Sequence, residues 1–201
     1  MLRGRSVPAL LGSLLFSGLA AAGAGPQQAF TTVTASLELS GDSYRGRLQD
    51  LWDPGVGITA SLETPFYWGQ IQLCGSYARM HARESSLPDY WVLLSEIGWG
   101  PDLVLPGRIL WQARLNAGTQ RMHFCDPRAS AAMRNEQELS LGATMRVRRP
   151  LARGWGIHVV ARYQTVMTHI RMRHLWIGAG FSHTWTAPGW LRGFLGCQPA
   201  H

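Results

Sequence analysis

Arg108-Ile109-Leu110-Trp111-Gln112-Ala113-Arg114-Leu115-Asn116-Ala117 decides the fold of this 201-residue chain. Ile109, Trp111, Ala113, Leu115 and Ala117 share one parity; Arg108, Gln112, Arg114 and Asn116 share the other. A β-strand sends successive side chains to opposite faces, so this stretch has one greasy face and one ionic face. A soluble sandwich strand turns its apolar face to a core and its polar face to water. Here Glu, Arg and Gln recur on the polar face of nearly every such stretch, as if that face were the enclosed one. Apolar groups outside and polar groups inside are what lipid imposes on a closed barrel.

Seven further stretches alternate in the same way: residues 30–40, 56–64, 70–80, 90–99, 136–148, 155–169 and 174–185. Their polar parities carry Glu38, Glu63, Glu138, Arg146 and Arg162. The pattern is weakest in 90–99, where Val92 and Leu94 share a face with Glu96, and Ser95 sits opposite among Trp91, Leu93, Ile97 and Trp99. Eight strands of this length suit a bilayer, which takes about 9–11 tilted residues per crossing. Three connections are compact and rich in Pro and Gly, at 64–69, 100–107 and 149–154. Two are long and polar, at 41–55 and 120–135, and two are shorter polar links, at 81–89 and 170–173. With both chain ends periplasmic, the compact turns follow the second, fourth and sixth strands, the arrangement of outer-membrane barrels. Phe66, Tyr67, Trp68, Tyr90, Trp91, Trp99, Trp155 and Trp185 gather near strand ends, where rings with a polar tip settle at a membrane boundary.

The formal net charge is +7, and all nineteen basic residues are arginine. Arg3 and Arg5, an apolar run over 7–22 and small residues over 20–25 predict a secretory signal peptide over 1–24. The barrel is expected over 25–185 and a periplasmic tail over 186–201. After the signal no apolar run reaches the length of a transmembrane helix. Cys74, Cys125 and Cys197 are odd in number and widely spaced, which reads as three independent thiols rather than a disulfide framework or a zinc site.

Over roughly 30–185 the chain resembles the small eight-stranded bacterial outer-membrane barrels of the OmpA/OmpX type. The resemblance lies in leader, strand count, alternation and turn order. The last strand, Gly178-Ala179-Gly180-Phe181-Ser182-His183-Thr184-Trp185, is similar to the terminal assembly signal of such proteins, which usually ends on an aromatic. The chain departs from that pattern by continuing to His201 through Trp190, Leu191, Phe194 and Leu195. The resemblance implies an all-β fold: an eight-stranded antiparallel up-and-down transmembrane β-barrel with a polar, side-chain-filled interior, located in the cell outer membrane as a monomer without cofactor.

Such a bore is just wide enough for side chains to fill. The enclosed charges Glu38, Glu63, Glu96, Glu138, Arg108, Arg114, Arg146, Arg148 and Arg162 are therefore expected to pair, because unpaired burial is costly. Arg45, Arg47, Arg83, Arg121, Arg128, Arg134, Arg171 and Arg173 fall in the outer connections and are candidate contacts to the phosphates of lipopolysaccharide. The expected role is structural, adhesive or surface-interacting. One alternative is a lipid A-modifying deacylase or acyltransferase; another is a soluble lipocalin-like barrel, which needs an apolar interior. No catalytic set is assigned. Ser95 and His183 face lipid without an acid, Ser182 and His183 point to opposite sides, His158 is expected to meet Glu138 inside without a reachable Ser, and no nucleophile elbow is present. His81, His123, His169 and His174 are scattered over loops and give no metal spacing. The secretory start points away from nucleic acid.

Overall fold

Residues 29–43, 51–53, 55–85, 87–125, 135–168 and 172–193 are described in the computed structural model. The strands are β1 (Thr32–Asp42), β2 (Trp52–Asp53), β3 (Val56–Phe66), β4 (Gly69–Ala82), β5 (Tyr90–Gly100), β6 (Asp102–Leu105), β7 (Ile109–Phe124), β8 (Asn135–Pro150), β9 (Trp155–Val166) and β10 (Met172–Thr186). A short helix, α1 (Gly189–Gly193), follows. Every neighbouring pair is antiparallel, and β1 pairs with both β3 and β10, so the sheet closes on itself.

Ten strands make an eight-staved barrel because two staves are interrupted. β6 continues β5 past Pro101 in unbroken register against β7: Trp99 faces Leu115 and Asp102 faces Gln112. Proline cannot donate to a ladder, and β4 pairing ends at Gly100, so the stave splits there. β2 likewise extends β3 along β4, with the register slipping by one residue around Gly55.

Three compact turns gather at one end of the barrel, between β3 and β4, β6 and β7, and β8 and β9; this is the turn rim. The opposite end, where the longer connections leave, is the loop rim. β7 runs seven residues beyond the expected end at Ala117, up to Phe124, and pairs through to Asn135 of β8. The β7–β8 hairpin therefore stands beyond β9, whose pairing with β8 starts only at Ser140. Gly118 permits this continuation: a side chain there would collide with the backbone of Ser95 and Glu96.

The exterior is a belt of exposed Leu, Ile, Val and aromatic residues, with Leu115 at 75% exposure. The enclosed face holds Glu38, Glu63, Glu96, Arg114, Arg146 and Arg162, each at most 4% exposed. That is an inside-out arrangement relative to a water-soluble barrel, and it suits a wall surrounded by acyl chains. Thr186 still belongs to β10, and the Ala187 amide donates to Thr31 O at 2.9 Å, which ties the two chain ends together at the turn rim. The expected signal segment over 1–24 and the end of the tail, 194–201, lie outside the described residues.

Candidate functional site: the lumen and its two rims

The turn-side half of the lumen is ionic. Arg146 on β8 reaches across it to pair with both Glu38 on β1 and Glu63 on β3. Glu38 also lies 3.2 Å from His158 Nε2 and 3.6 Å from Arg162. Glu63 accepts a hydrogen bond from Gln72 at 2.8 Å and stands 3.9 Å from Arg114. Arg114 pairs with Asp102 and donates to the carbonyl oxygens of Gly100 at 3.1 Å and Pro101 at 2.8 Å. Gln70 and Gln112 donate to the same Asp102, at 2.7 and 3.0 Å. Carboxylates and guanidinium groups out of water cost several kcal/mol each unless every lone pair and proton is met, and this network meets most of them. Close approach is part of the device: a side chain at Gly180 would meet His158 Nε2 and the Glu38 backbone, each at 2.9 Å.

Glu96 stands apart from the network. Its carboxylate takes hydrogen bonds from Ser140 at 2.9 Å and from the Cys74 thiol at 3.8 Å, and no arginine pairs with it among the described residues. Cys74 is buried and Cys125 exposed, both as free thiols, and Cys197 lies outside the described residues.

Three expected members of the interior set sit elsewhere or pair differently. Arg108 is not enclosed. It is exposed in the turn before β7 with φ at 61°, because the strand proper begins at Ile109 and the chain is still reversing at Arg108. Glu138 is only half-buried near the loop end of β8, opposite Gln120, far from the charge layer. His158 accordingly meets Glu38, not Glu138. Arg148 is buried and donates to Thr184 at 2.8 Å. Asp102, which no alternation singled out, supplies the acid that Arg114 uses.

The loop-side half of the lumen is apolar. Met80, Tyr90, Val92 and Met122 form a buried cluster, and Trp52, Phe124, Met172 and Trp176 pack on it. Tyr90 meets Trp52 edge-on at 5.4 Å and Phe124 at 5.3 Å. The Trp52 indole donates to Pro88 O at 3.0 Å, which ties β2 to the segment leading into β5. Between the two halves Gln164 donates to Gln120 at 2.6 Å. A cavity of about 20 Å³ remains there, lined among others by Thr59, Ser76, Met80, Gln120 and Trp176, which is room for one water molecule.

The loop rim carries mixed charge. Asp89 accepts a hydrogen bond from the Ala82 amide at 2.9 Å, lies 3.0 Å from His81 Nδ1 and 3.5 Å from Arg79. The amide hydrogen bond, supported by His81 and Arg79, holds the Asp89 carboxyl below its ordinary range. Arg83 pairs with Asp53 at 2.8 Å, and His174 with Asp42 at 2.6 Å. His123 stacks on Trp91 at 4.9 Å and contacts Asn135 at 2.8 Å. Arg121 is exposed at the loop end of β7, and Arg173 is exposed near the start of β10. Arg45, Arg47, Arg128, Arg134 and Arg171 lie outside the described residues. On the outer wall His183 is flanked by Trp155 at 4.8 Å and Trp185 at 5.8 Å, while Ser182 turns inward and donates to Gly156 O at 3.4 Å. Ser182 and His183 are therefore on opposite sides of the wall.

No protein-family model and no curated protein sequence matches the chain. Solved structures do. The Neisserial surface protein A superposes with a TM-score of 0.54 at 12% identity, covering 76% of this chain and 95% of that one. The outer membrane protein OprG from Pseudomonas aeruginosa superposes with a TM-score of 0.53 at 10% identity, covering 81% of this chain and 99% of that one. The likeness is one of fold. Joined to the apolar belt and the enclosed charges, it makes this chain an eight-stranded barrel of the outer-membrane type.

Proposed function

We propose that the chain is a surface-contact barrel: a plugged, stiff wall that holds its outer connections at the cell surface, with no path for solutes through the bore. The filled lumen carries this reading. Ionic side chains close one half, apolar side chains close the other, and the space between them holds about one water. A filled barrel is a scaffold, and a scaffold's working parts are its connections. The first contact we assign to them is the phosphorylated lipid of the outer leaflet. Arg121, Arg173 and Arg83, with Arg45, Arg47, Arg128, Arg134 and Arg171 from the longer connections, carry the guanidinium forks that phosphate accepts.

The test is conductance together with lipid retention. The full chain in a planar bilayer is expected to give no discrete current steps above the bare membrane, and to hold lipopolysaccharide through purification less well as Arg121→Gln. Stable unitary steps would overturn the scaffold reading. Unchanged lipopolysaccharide retention in Arg121→Gln and in an Arg173→Gln companion would overturn the lipid contact.

A further inference from the structure

Four described residues other than glycine hold a left-handed backbone: Phe30 (φ 57°), Tyr67 (φ 55°), Arg108 (φ 61°) and Arg153 (φ 57°). All four lie at the turn rim, and all four are aromatic or arginine. An L residue pays for this conformation where glycine or asparagine would adopt it freely, and such strain persists where it aims a side chain usefully. At two of the three turns the strained arginine is next to a left-handed glycine, as Gly107-Arg108 and Arg153-Gly154. The turn chemistry alone does not call for arginine at either place.

These arginines are neighbours. Leu110 pairs with Arg148, so Arg149 at the end of β8 borders Arg108 at the foot of β7, and Arg153 stands in the turn that follows Arg149. Arg192 on α1 faces solvent at the same end. Arg108, Arg149, Arg153 and Arg192 are all exposed and make no ion pair among the described residues. The described acid nearest this rim, Asp102, is enclosed and already held by Arg114, Gln70 and Gln112. The other end differs: residues 42–53, 79–89, 121–138 and 171–173 hold nine arginines against eight acids. Uncompensated positive charge is thus concentrated at the turn rim. It is flanked by exposed Tyr67, Trp68, Trp155 and Trp185, rings of the type that sit at headgroup level.

We propose that the turn rim is a docking collar for anionic phospholipid, with the guanidinium groups of Arg108, Arg149 and Arg153 binding the phosphate diester and Arg192 adding to the local field. Basic side chains attract an anionic lipid surface over about a Debye length, and aromatic rings fix the depth at which they meet it. The left-handed positions then have a purpose: they turn the forks toward the headgroups while the strands stay in the acyl layer.

The experiment reconstitutes the full chain with equal amounts of phosphatidylglycerol and phosphatidylcholine and counts retained lipids by native mass spectrometry. The wild type is expected to retain phosphatidylglycerol severalfold over phosphatidylcholine, less so as salt rises. R108Q/R149Q/R153Q is expected to lose most of that preference, and R79Q/R121Q at the loop rim to keep it. Heat-modifiable gel migration checks folding. R108G/R153G gives an independent route, since glycine relieves the left-handed backbone while removing two forks, and it is expected to fold and to lose part of the preference. Equal retention of the two lipids by wild type, full preference in the folded R108Q/R149Q/R153Q or R108G/R153G variants, or loss confined to R79Q/R121Q would overturn the collar. Co-sedimentation with purified cell-wall polymer in place of any lipid preference would overturn it as well.

Discussion

The two halves of the lumen solve one packing problem with different chemistry. On the turn side, Arg146, Glu38 and Glu63 fill the bore with charges that satisfy each other. On the loop side, Met80, Tyr90, Val92 and Met122 fill it as an ordinary hydrophobic cluster would. The contrast shows that a lipid-facing wall does not require a polar interior throughout. It requires only that the enclosed charges be paired or hydrogen-bonded and that most enclosed polar groups find partners. The ionic half is specific, because a guanidinium fits one arrangement of carboxylates. The apolar half is forgiving, because Met and aromatic rings repack.

The largest expected effect comes from removing one charge on the ionic side. Arg146→Ala leaves two carboxylates enclosed without their shared cation and is expected to lower stability by about 3–5 kcal/mol. Urea midpoints in detergent measure it, and Arg146→Lys is expected to recover only part, because one ammonium replaces a fork. A smaller loss, about 3 kcal/mol, is expected for Met122→Ala, which opens a cavity in a fully buried site. Leu115→Ala on the lipid face loses transfer energy but opens no void, since acyl chains move in, and is expected to cost no more than about 2 kcal/mol. If Met122→Ala cost more than Arg146→Ala, the division between a specific half and a forgiving one would fail; if Leu115→Ala matched Arg146→Ala, the enclosed charges would count for no more than the lipid face.

The smallest effect lies at the loop rim and depends on pH. The Asp89 carboxyl is held below its ordinary range, so its contribution is complete above the usual carboxylate pKa, about 3.9, and is lost as pH falls through the lowered folded value. The protection of the Ala82 amide, its exchange relative to the intrinsic rate at each pH, is expected to fall as acid titrates Asp89, and Asp89→Asn to be less protected at neutral pH with a flatter acid response. Equal exchange in the two proteins at neutral pH would show that the carboxylate does not hold that strand end.

Alternation made the wall legible, since parity in β7 and its neighbours already separates Leu115 from Arg114. It exposed the carboxylates Glu38 and Glu63 and the arginines Arg114, Arg146 and Arg162, because each interrupts an apolar pattern at a fixed parity. Parity says nothing about height in the bore, and that is why Glu138 reads like Glu38 although only Glu38 reaches the charge layer. Arg108 keeps the right parity but falls one residue before its strand, where parity has no meaning. Asp102 follows a proline and reads as turn, yet the stave resumes there and carries it inward. The apolar half was hardest to see: Val92 and Leu94 on the same face as Glu96 look like noise until Met80 and Met122 arrive from adjacent staves.

The bridge from Arg146 to Glu38 spans 108 positions of chain and joins the sixth stave to the first. Neither carboxylate is shielded from water while the sheet remains open between β1 and β10, because an enclosed space exists only after that seam has zipped. The charge cluster thus contributes little to a half-inserted intermediate and most of its energy to the finished tube. Its stabilisation comes at the last step of assembly, which makes ring completion cooperative and reopening slow.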